Sequence, residues 1–240
     1  GVKDIARSTV KNILREHGLE PAPVRTEPTW AEFLKVHAKT LWACDFFTRS
    51  VLTFAGWRTC TILFFLHVNT RRVIVCRPTL HPTHAWSRER AVEFVENARD
   101  QGFCSPTILI RDGDGKFGPG FNEALRERGC MIKRLPVRSP QLNAFAERWV
   151  RTVRRECLDH FVACGERHLD FLITEFLRHY HEQRPHQGLG NRLLVREPRR
   201  PGIHPSSPPI RAGPDATHVP RVICRQTLGG VLKHYERKVA

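Results

Sequence analysis

Residues 41–77 read LWACDFFTRSVLTFAGWRTCTILFFLHVNTRRVIVCR, and the rest of the chain can be arranged around them. The stretch holds three segments rich in β-branched and aromatic residues, which favour extended backbone. We predict strands over 41–54, 58–69 and 71–77. Because links this short join strands that run in opposite directions, the three strands should form an antiparallel meander.

Helical and strand-like segments alternate downstream of residue 77. The spacing of apolar residues predicts helices over 83–101, 121–128, 143–164 and 168–181, and strands over 107–110 and 131–135. A meander followed by strands that alternate with helices is typical of an α/β fold. We therefore predict a five-stranded mixed sheet flanked by helices.

Three carboxylates stand where this order of elements would bring them to one end of the sheet. Asp45 lies in the first strand, Asp112 follows the fourth strand, and Glu147 opens a basic helix. Carboxylate oxygens suit Mg²⁺, and two such ions clamp the attacking and leaving oxygens of a phosphodiester. The sequence therefore predicts a metal site built from these three acids, in which Mn²⁺ can replace Mg²⁺. We expect Asp114 to point away from it.

Each acid also has an ordinary structural explanation. Asp45 alone is equally well explained as a surface acid at the end of a strand. Asp112 and Asp114 stand between glycines, where an Asx turn or a calcium loop would form, although the sequence lacks the spacing and terminal glutamate of an EF-hand. Glu147 can pair with Arg151 one turn later, which would be worth only about 0.3–0.5 kcal/mol.

The helix that carries Glu147 has two stripes. The first stripe consists of apolar residues spaced four apart and is expected to face the sheet. Its residues are Phe145, Trp149, Val153 and Cys157. The other is basic and suits contacts to a phosphate backbone without sequence readout, with a solvated charged surface as the alternative. The predicted DNA contacts are Arg148, Arg151, Arg154 and Arg155 on this helix, and Lys116 beside the second acid.

Charge and composition narrow the class of partner. The chain has 39 Lys and Arg against 24 Asp and Glu, a formal charge of +15. This balance favours nucleic acid as the partner. A membrane is less favoured, because the sequence has no basic amphipathic anchor and no apolar run of roughly 20 residues. The alternative is that the charge reflects a basic proteome or a solvated surface. None of the eight cysteines stands in a CxxC pair, which favours a reduced, cytoplasmic protein without structural zinc.

Two terminal regions flank the predicted core, which occupies residues 41–192. Residues 1–20 predict an amphipathic helix capped by Ser8 or Thr9 and ended by Gly18. That helix resembles the recognition helix of a helix-turn-helix DNA-binding region that lacks its first helices, although any short amphipathic helix explains it equally well. Residues 21–40 predict a linker and a short helix. Residues 193–240 predict a basic, proline-rich tail with a last segment of one short strand, a turn and a small helical piece.

The motifs of the core resemble those of DDE integrases and transposases, of the bacterial insertion-sequence type, in the ribonuclease H-like superfamily. Residues 111–117, RDGDGKF, are similar to the family's Asp-x-Gly-x-x-Phe segment, with Asp114 in place of the family glycine. Residues 139–148, SPQLNAFAER, are similar to the segment that carries the family glutamate, and 34 residues separate Asp112 from Glu147 where the family has about 35. Residues 180–189, YHEQRPHQGL, are similar to the segment that closes the family core.

The resemblance covers roughly residues 1–192 and implies a polynucleotidyl transferase with a ribonuclease H-like core. Asp45, Asp112 and Glu147 would position two Mg²⁺ ions for cleavage at element ends and transfer to target DNA. The implied protein is a homo-oligomer on DNA in the bacterial cytoplasm, associated with the nucleoid. The alternatives are a non-catalytic DNA-binding relative that keeps the fold, and a ribonuclease H-like nuclease that cuts without joining.

Overall fold

The computed structural model of the protein describes residues 6–18, 30–103, 108–135, 144–195 and 221–238. The chain divides into two compact units, residues 1–36 and 37–240. The predicted linker over 21–28 and the proline-rich part of the tail, residues 196–220, lie outside the described residues. No helix among the described residues is long and apolar enough to cross a membrane.

The first unit contains helix α1 (Arg7–Glu16), as predicted, but its predicted cap is wrong. Ala6 occupies the N-cap position without a side-chain hydrogen bond, so that Ser8 and Thr9 fall within the first turn. Gly18 follows the helix in the left-handed conformation, with a φ of 65°. Helix α2 (Trp30–His37) comes next along the chain.

The second unit is built on a mixed sheet, and the predicted fold class is confirmed. Its main strands are β1 (Leu41–Thr53), β2 (Gly56–His67), β3 (Val73–Val75), β4 (Ile108–Arg111) and β5 (Met131–Arg134). They lie in the order β3-β2-β1-β4-β5, with the first three antiparallel and β1, β4 and β5 parallel. A two-residue strand, β6 (Ala163–Cys164), pairs with the far end of β1 and makes the sheet six-stranded.

Helices cover both faces of the sheet. They are α3 (His84–Asp100), α4 (Gly118–Arg126), α5 (Ala144–Glu156) and α6 (Gly165–Glu182). On one face, Trp42 and Phe65 join a buried cluster with residues of α3 and α4, and the Phe65 ring stacks on Phe94 with 3.8 Å between centroids. On the other face, Phe47 and Phe64 pack against Trp149 of α5.

The predicted helix over 143–164 is wrong beyond Glu156. Cys157 leaves the helical region with φ −138° and ψ −70°, and a short 3₁₀ turn, Leu158–His160, precedes β6. The Arg49 guanidinium on β1 holds the segment after the break, because it donates to the carbonyl oxygens of Leu158 and Phe161 at 2.6 and 3.1 Å. In the last turn of the helix itself, the Arg155 carbonyl oxygen lies 3.0 Å from His160 Nε2.

The end of the chain forms a hairpin of β7 (Arg221–Thr227) and β8 (Leu232–Lys238). The turn predicted at Leu228–Gly230 is present, and all three residues have positive φ. The helical piece predicted after it is wrong. Leu232 is buried and its neighbour Lys233 is exposed, an alternation that suits a strand.

Candidate active site

Asp45 and Asp112 stand next to the point where β1 and β4 stop pairing. The two strands pair in parallel up to Cys44 and Arg111. Asp45 is the next residue of β1, and Asp112 directly follows the end of β4. Adjacent strands lie about 4.8 Å apart, and residues level with each other point to the same face. Phe47, two residues beyond Asp45, contacts Trp149, so this is the face that α5 covers.

Helix α5 brings Glu147 to the same place. Trp149 is buried against Phe47 and Phe64, with ring centroids 5.7 and 4.4 Å away, and fixes the helix over the sheet. Glu147 lies two residues earlier, on an exposed stripe. It borders a cleft of about 460 Å³, which we name the carboxylate cleft and which is lined by Asp45, Phe46, Phe47, Thr48, Asp114, Lys116, Glu147, Val150, Arg151 and Arg154.

The pKa of Asp45 shows that the acids act on one another. Burial and, next in size, the charge of Asp112 raise the pKa of Asp45 from 3.8 to about 7. Asp114 and Glu147 raise it further, while a hydrogen bond from the Phe46 N–H to Asp45 Oδ1, 2.7 Å long, lowers it. Asp45, Asp114 and Glu147 line the carboxylate cleft, whereas Asp112 does not, and the charges of Asp112, Asp114 and Glu147 all disfavour ionisation of Asp45.

Asp112 and Asp114 make different hydrogen bonds in the loop after β4. Asp112 Oδ1 accepts the backbone N–H of Asp114 at 3.0 Å, which is the Asx turn that the sequence allowed. Asp114 lines the carboxylate cleft, so the expectation that it points away is wrong. Its carboxylate accepts the backbone N–H of Lys116 at 2.9 Å and pairs with Lys116 Nζ at 2.6 Å, which compensates its charge.

Whether the acids can hold a metal depends on spacing and on donor chemistry. Among the described residues, no group of three or more His, Cys, Asp or Glu side chains is spaced to hold a metal ion. The donor chemistry fits a hard divalent cation nevertheless, because Asp45, Asp112 and Glu147 offer only oxygen and the clustered charge raises the pKa of Asp45. A cation between these groups would relieve that repulsion. Their role as metal ligands stays a prediction.

The predicted basic contacts divide between two places. Arg151, Arg154 and Lys116 line the carboxylate cleft. Arg148 lines a different cleft on α5, and Arg155 is exposed on the same helix. The basic residues of α5 therefore do not all line the same cleft.

Two side-chain contacts bear on the alternatives for this helix. Arg154 Nη2 donates to the Thr48 carbonyl oxygen on β1 at 3.1 Å, so this arginine also ties α5 to the sheet. Among the ion pairs of the described residues, none joins Glu147 to Arg151. The simple i,i+4 pair that the sequence allowed is therefore not formed.

Arg111 is a positioning residue that the sequence analysis missed. It is 8% exposed, and its Nη1 donates to the Asp112 carbonyl oxygen at 2.8 Å while its Nε donates to Asn122 Oδ1 at 3.1 Å. Its guanidinium lies 4.7 Å from the Phe117 ring centroid. These contacts hold the loop that carries Asp112. The available signal was a charged residue at the end of an otherwise apolar strand.

His186 orders the segment that follows α6. It is buried, and its Nε2 lies 2.8 Å from the carbonyl oxygen of Tyr180. Its backbone N–H donates to the Arg192 carbonyl oxygen at 3.1 Å. The residue thus fastens the segment after α6 back onto that helix.

Comparison with known proteins gives a family match and a fold match. Residues 128–193 match the integrase core domain family. One similar solved structure is a chain of the simian T-cell lymphotropic virus intasome in complex with PP2A regulatory subunit B56 gamma, with a TM-score of 0.51 and 12% identity. The match covers 78% of this chain and 62% of the other, and no curated protein sequence matches. The chain therefore has the mixed α/β fold of a ribonuclease H-like integrase core.

Proposed function

We propose that this chain is the catalytic core of a DNA transposase or integrase that cleaves DNA ends and joins them to target DNA by metal-dependent phosphoryl transfer. The observation that carries the proposal is the clustering of Asp45 with Asp112 and Glu147 beside an arginine-lined helix. The match of residues 128–193 to the integrase core domain, a range that includes Glu147, supports it.

The three acids would hold two Mg²⁺ ions, or Mn²⁺ in their place. When bound, such ions stabilise the charge on the attacking and leaving oxygens and lower the pKa of the attacking water or 3′-hydroxyl. Asp45 must ionise to take part, so binding should release a proton near neutral pH. No serine, tyrosine or histidine is needed as nucleophile or base.

The basic residues of the carboxylate cleft would hold the DNA backbone next to the acids. Arg151, Arg154 and Lys116 border the same space as Asp45 and Glu147. Guanidinium groups suit bidentate contacts to phosphate oxygens, which position a strand without reading its sequence. The finer assignment, a homo-oligomeric enzyme of the bacterial insertion-sequence type that acts on DNA in the cytoplasm beside the nucleoid, rests on the motifs alone.

One observation favours a second candidate, a non-catalytic DNA-binding relative. The described acids are not spaced to hold a metal ion, and Asp114 brings an additional carboxylate, paired with Lys116, into the cleft. A relative that kept the fold and the charge but lost catalysis would show the same arrangement.

The test is Glu147→Gln, which keeps the side-chain shape and removes the charge. Oligonucleotides with the element's ends are assayed for Mg²⁺-dependent cleavage and joining, with the full-length protein. We expect activity to fall by at least about 100-fold, the scale of losing one preorganised electrostatic group, with DNA affinity nearly unchanged. Glu96→Gln, on the exposed side of α3, is the matched control.

Equal activity of Glu147→Gln and the unaltered protein would remove Glu147 from the mechanism. Inactivity of both, with normal DNA binding, would support the non-catalytic candidate.

A further inference from the structure

A second cleft lies on the flank of α5 away from the acids. Its volume is about 540 Å³, and on α5 it is lined by Phe145, Arg148, Trp149 and Thr152, whereas Glu147, Val150, Arg151 and Arg154 line the carboxylate cleft. Residues three or four apart share one side of a helix, so each cleft takes its own stripe of α5. The second cleft, which we name the arginine cleft, is completed by Leu66, Arg71, Tyr180, residues 184–189 and Asn191.

The arginine cleft carries positive charge without a counter-charge. Of its three arginines, only Arg184 is neutralised, because its Nε and Nη2 each lie 2.7 Å from the Glu156 carboxylate. Neither Arg71 nor Arg148 forms an ion pair with any residue that the structure describes. Burial lowers the pKa of Arg71 and Tyr180 raises it, while the charge of Arg148 lowers it, so the two cations are close enough to repel.

Two hydrogen-bond donors in the wall of this cleft lack acceptors. Arg71 Nη1 and Trp149 Nε1 are buried and have no hydrogen-bond partner in the described part of the chain. Buried donors are rarely left unsatisfied, and each one calls for an explanation such as a ligand at the site. An anion bound beside Arg71 in this cleft would supply acceptor oxygens to its guanidinium.

Arg71 stands in the tight turn between β2 and β3, where its backbone N–H donates to the His67 carbonyl oxygen at 2.9 Å. Its φ is 64°, a left-handed conformation that is uncommon for residues other than glycine and asparagine. The guanidinium carbon lies 3.6 Å from the centroid of the Phe145 ring, which holds the group against α5. An observed backbone outlier of this kind is a reason to look for function.

The opposite wall is ordered by hydrogen bonds. The backbone N–H groups of Leu189 and Asn191 both donate to the His186 carbonyl oxygen at 2.9 Å, and Gly190 between them is left-handed. This turn faces the arginines across the cleft without adding an acidic group among the described lining residues. The cleft is therefore largely formed before any ligand binds.

We propose that Arg71 and Arg148 together bind one phosphate of a DNA backbone in the arginine cleft. The inference rests on the proposed function and adds a DNA contact on the flank of α5 away from the acids. Two guanidinium groups offer several N–H donors in a geometry that suits phosphate oxygens. A cleft of this volume admits a group the size of one nucleotide. A single DNA strand would therefore pass through the cleft, which is too small to hold a duplex.

The experiment measures the affinity of the full chain for a fluorescent mixed-sequence duplex across a salt series, in EDTA so that catalysis plays no part. The variants are Arg71→Gln, Arg148→Gln and the double variant, with Arg167→Gln, on the exposed side of α6, as control. Each single variant should lower the log–log salt slope by less than about 0.9, because the arginine that remains still neutralises part of the phosphate charge. The double variant should lose about 0.9, the effect of one lost phosphate contact, because both arginines hold the same phosphate.

Arg151→Gln, in the carboxylate cleft, separates this inference from the proposed function. If Arg151→Gln lowers the slope and the arginine-cleft variants do not, the inference is overturned and the proposed DNA binding stands. If none of them changes the slope, both are wrong. A double variant that loses about 1.8 would show two independent contacts and overturn the shared phosphate.

Inorganic phosphate at constant ionic strength distinguishes a free anion from a DNA phosphate. Suppose that phosphate raises the free energy of unfolding of the unaltered protein, that Arg71→Gln abolishes this effect, and that the salt slopes of DNA binding do not change. The cleft would then be a site for free phosphate, and the proposed DNA contact would be refuted. Arg71→Lys should keep the unaltered salt slope, because it keeps the charge. Should Arg71→Gln not fold, Arg148→Gln decides the outcome, because Arg148 is exposed and its replacement leaves the core intact.

Discussion

Replacing Asp45 by Asn should stabilise the metal-free protein at neutral pH. Burial and the charge of Asp112 raise the pKa of Asp45 from 3.8 to about 7. The unfolded chain ionises at the lower value, so the folded state binds more protons between these two values. Stability from the protonated Asp45 is therefore fully present below about pH 4 and is lost as pH rises through 7.

The size of the effect follows from the shift. A difference of about three pKa units, at about 1.4 kcal/mol each, gives a loss of up to about 4 kcal/mol. Asn imitates the protonated acid in shape and charge. The variant should therefore match the unaltered protein near pH 4 and exceed its free energy of unfolding by up to about 4 kcal/mol at pH 8.

Urea denaturation at several pH values, in EDTA and again with Mg²⁺, measures both parts of this prediction. In Mg²⁺ the unaltered protein should regain stability at pH 8 and Asp45→Asn should gain less, because a ligand that binds only the folded state stabilises it. Asp100→Asn, an exposed acid at the end of α3, is the control and should show no such pH-dependent gain.

A variant that is equally less stable at every pH would refute the electrostatic reasoning, since it would show that the Asp45 carboxylate is structurally favourable. Equal responses of both proteins to Mg²⁺ would leave the pKa argument intact and remove Asp45 from the metal site.

Two further predictions concern the core around the site. The pKa of His181 is lowered to about 4 because burial disfavours its charged form, and its Nε2 accepts the Val73 N–H at 3.0 Å. The contribution of neutral His181 to the free energy of unfolding should be present above pH 6.5 and lost as pH falls through 4. This loss should be at most about 3 kcal/mol. His181→Gln should therefore flatten that part of a curve of stability against pH. Trp149→Ala should lower the free energy of unfolding by about 3–5 kcal/mol, measured in urea, because it empties the space against Phe47 and Phe64. A loss under 1 kcal/mol would show that α5 is not fixed by this contact.

The elements that the sequence predicted well are those with local signals. The meander over 41–77 and the strand before Asp112 are runs of β-branched and aromatic residues. The first two strands of the meander and the strand before Asp112 form close to their predicted bounds, whereas the third, predicted over 71–77, covers only Val73–Val75. The helix that carries Glu147 ends earlier than predicted, and the guanidinium of Arg49, more than a hundred residues earlier in the chain, holds the segment that follows it. Tertiary contacts of that kind leave no periodic pattern in the sequence.

The sequence by itself determined the element order, the excess of basic residues and the three acids, because composition, periodicity and motif spacing are properties of the chain. Only the tertiary structure decided that Asp112 stands beside Asp45, which depends on the register of β1 and β4. It also decided that Asp114 borders the cleft with Lys116 and that Arg148 faces away from Arg151. Such arrangements depend on strand register and on how a helix packs against a sheet. Contacts between residues that are distant in the chain determine both the register and the packing.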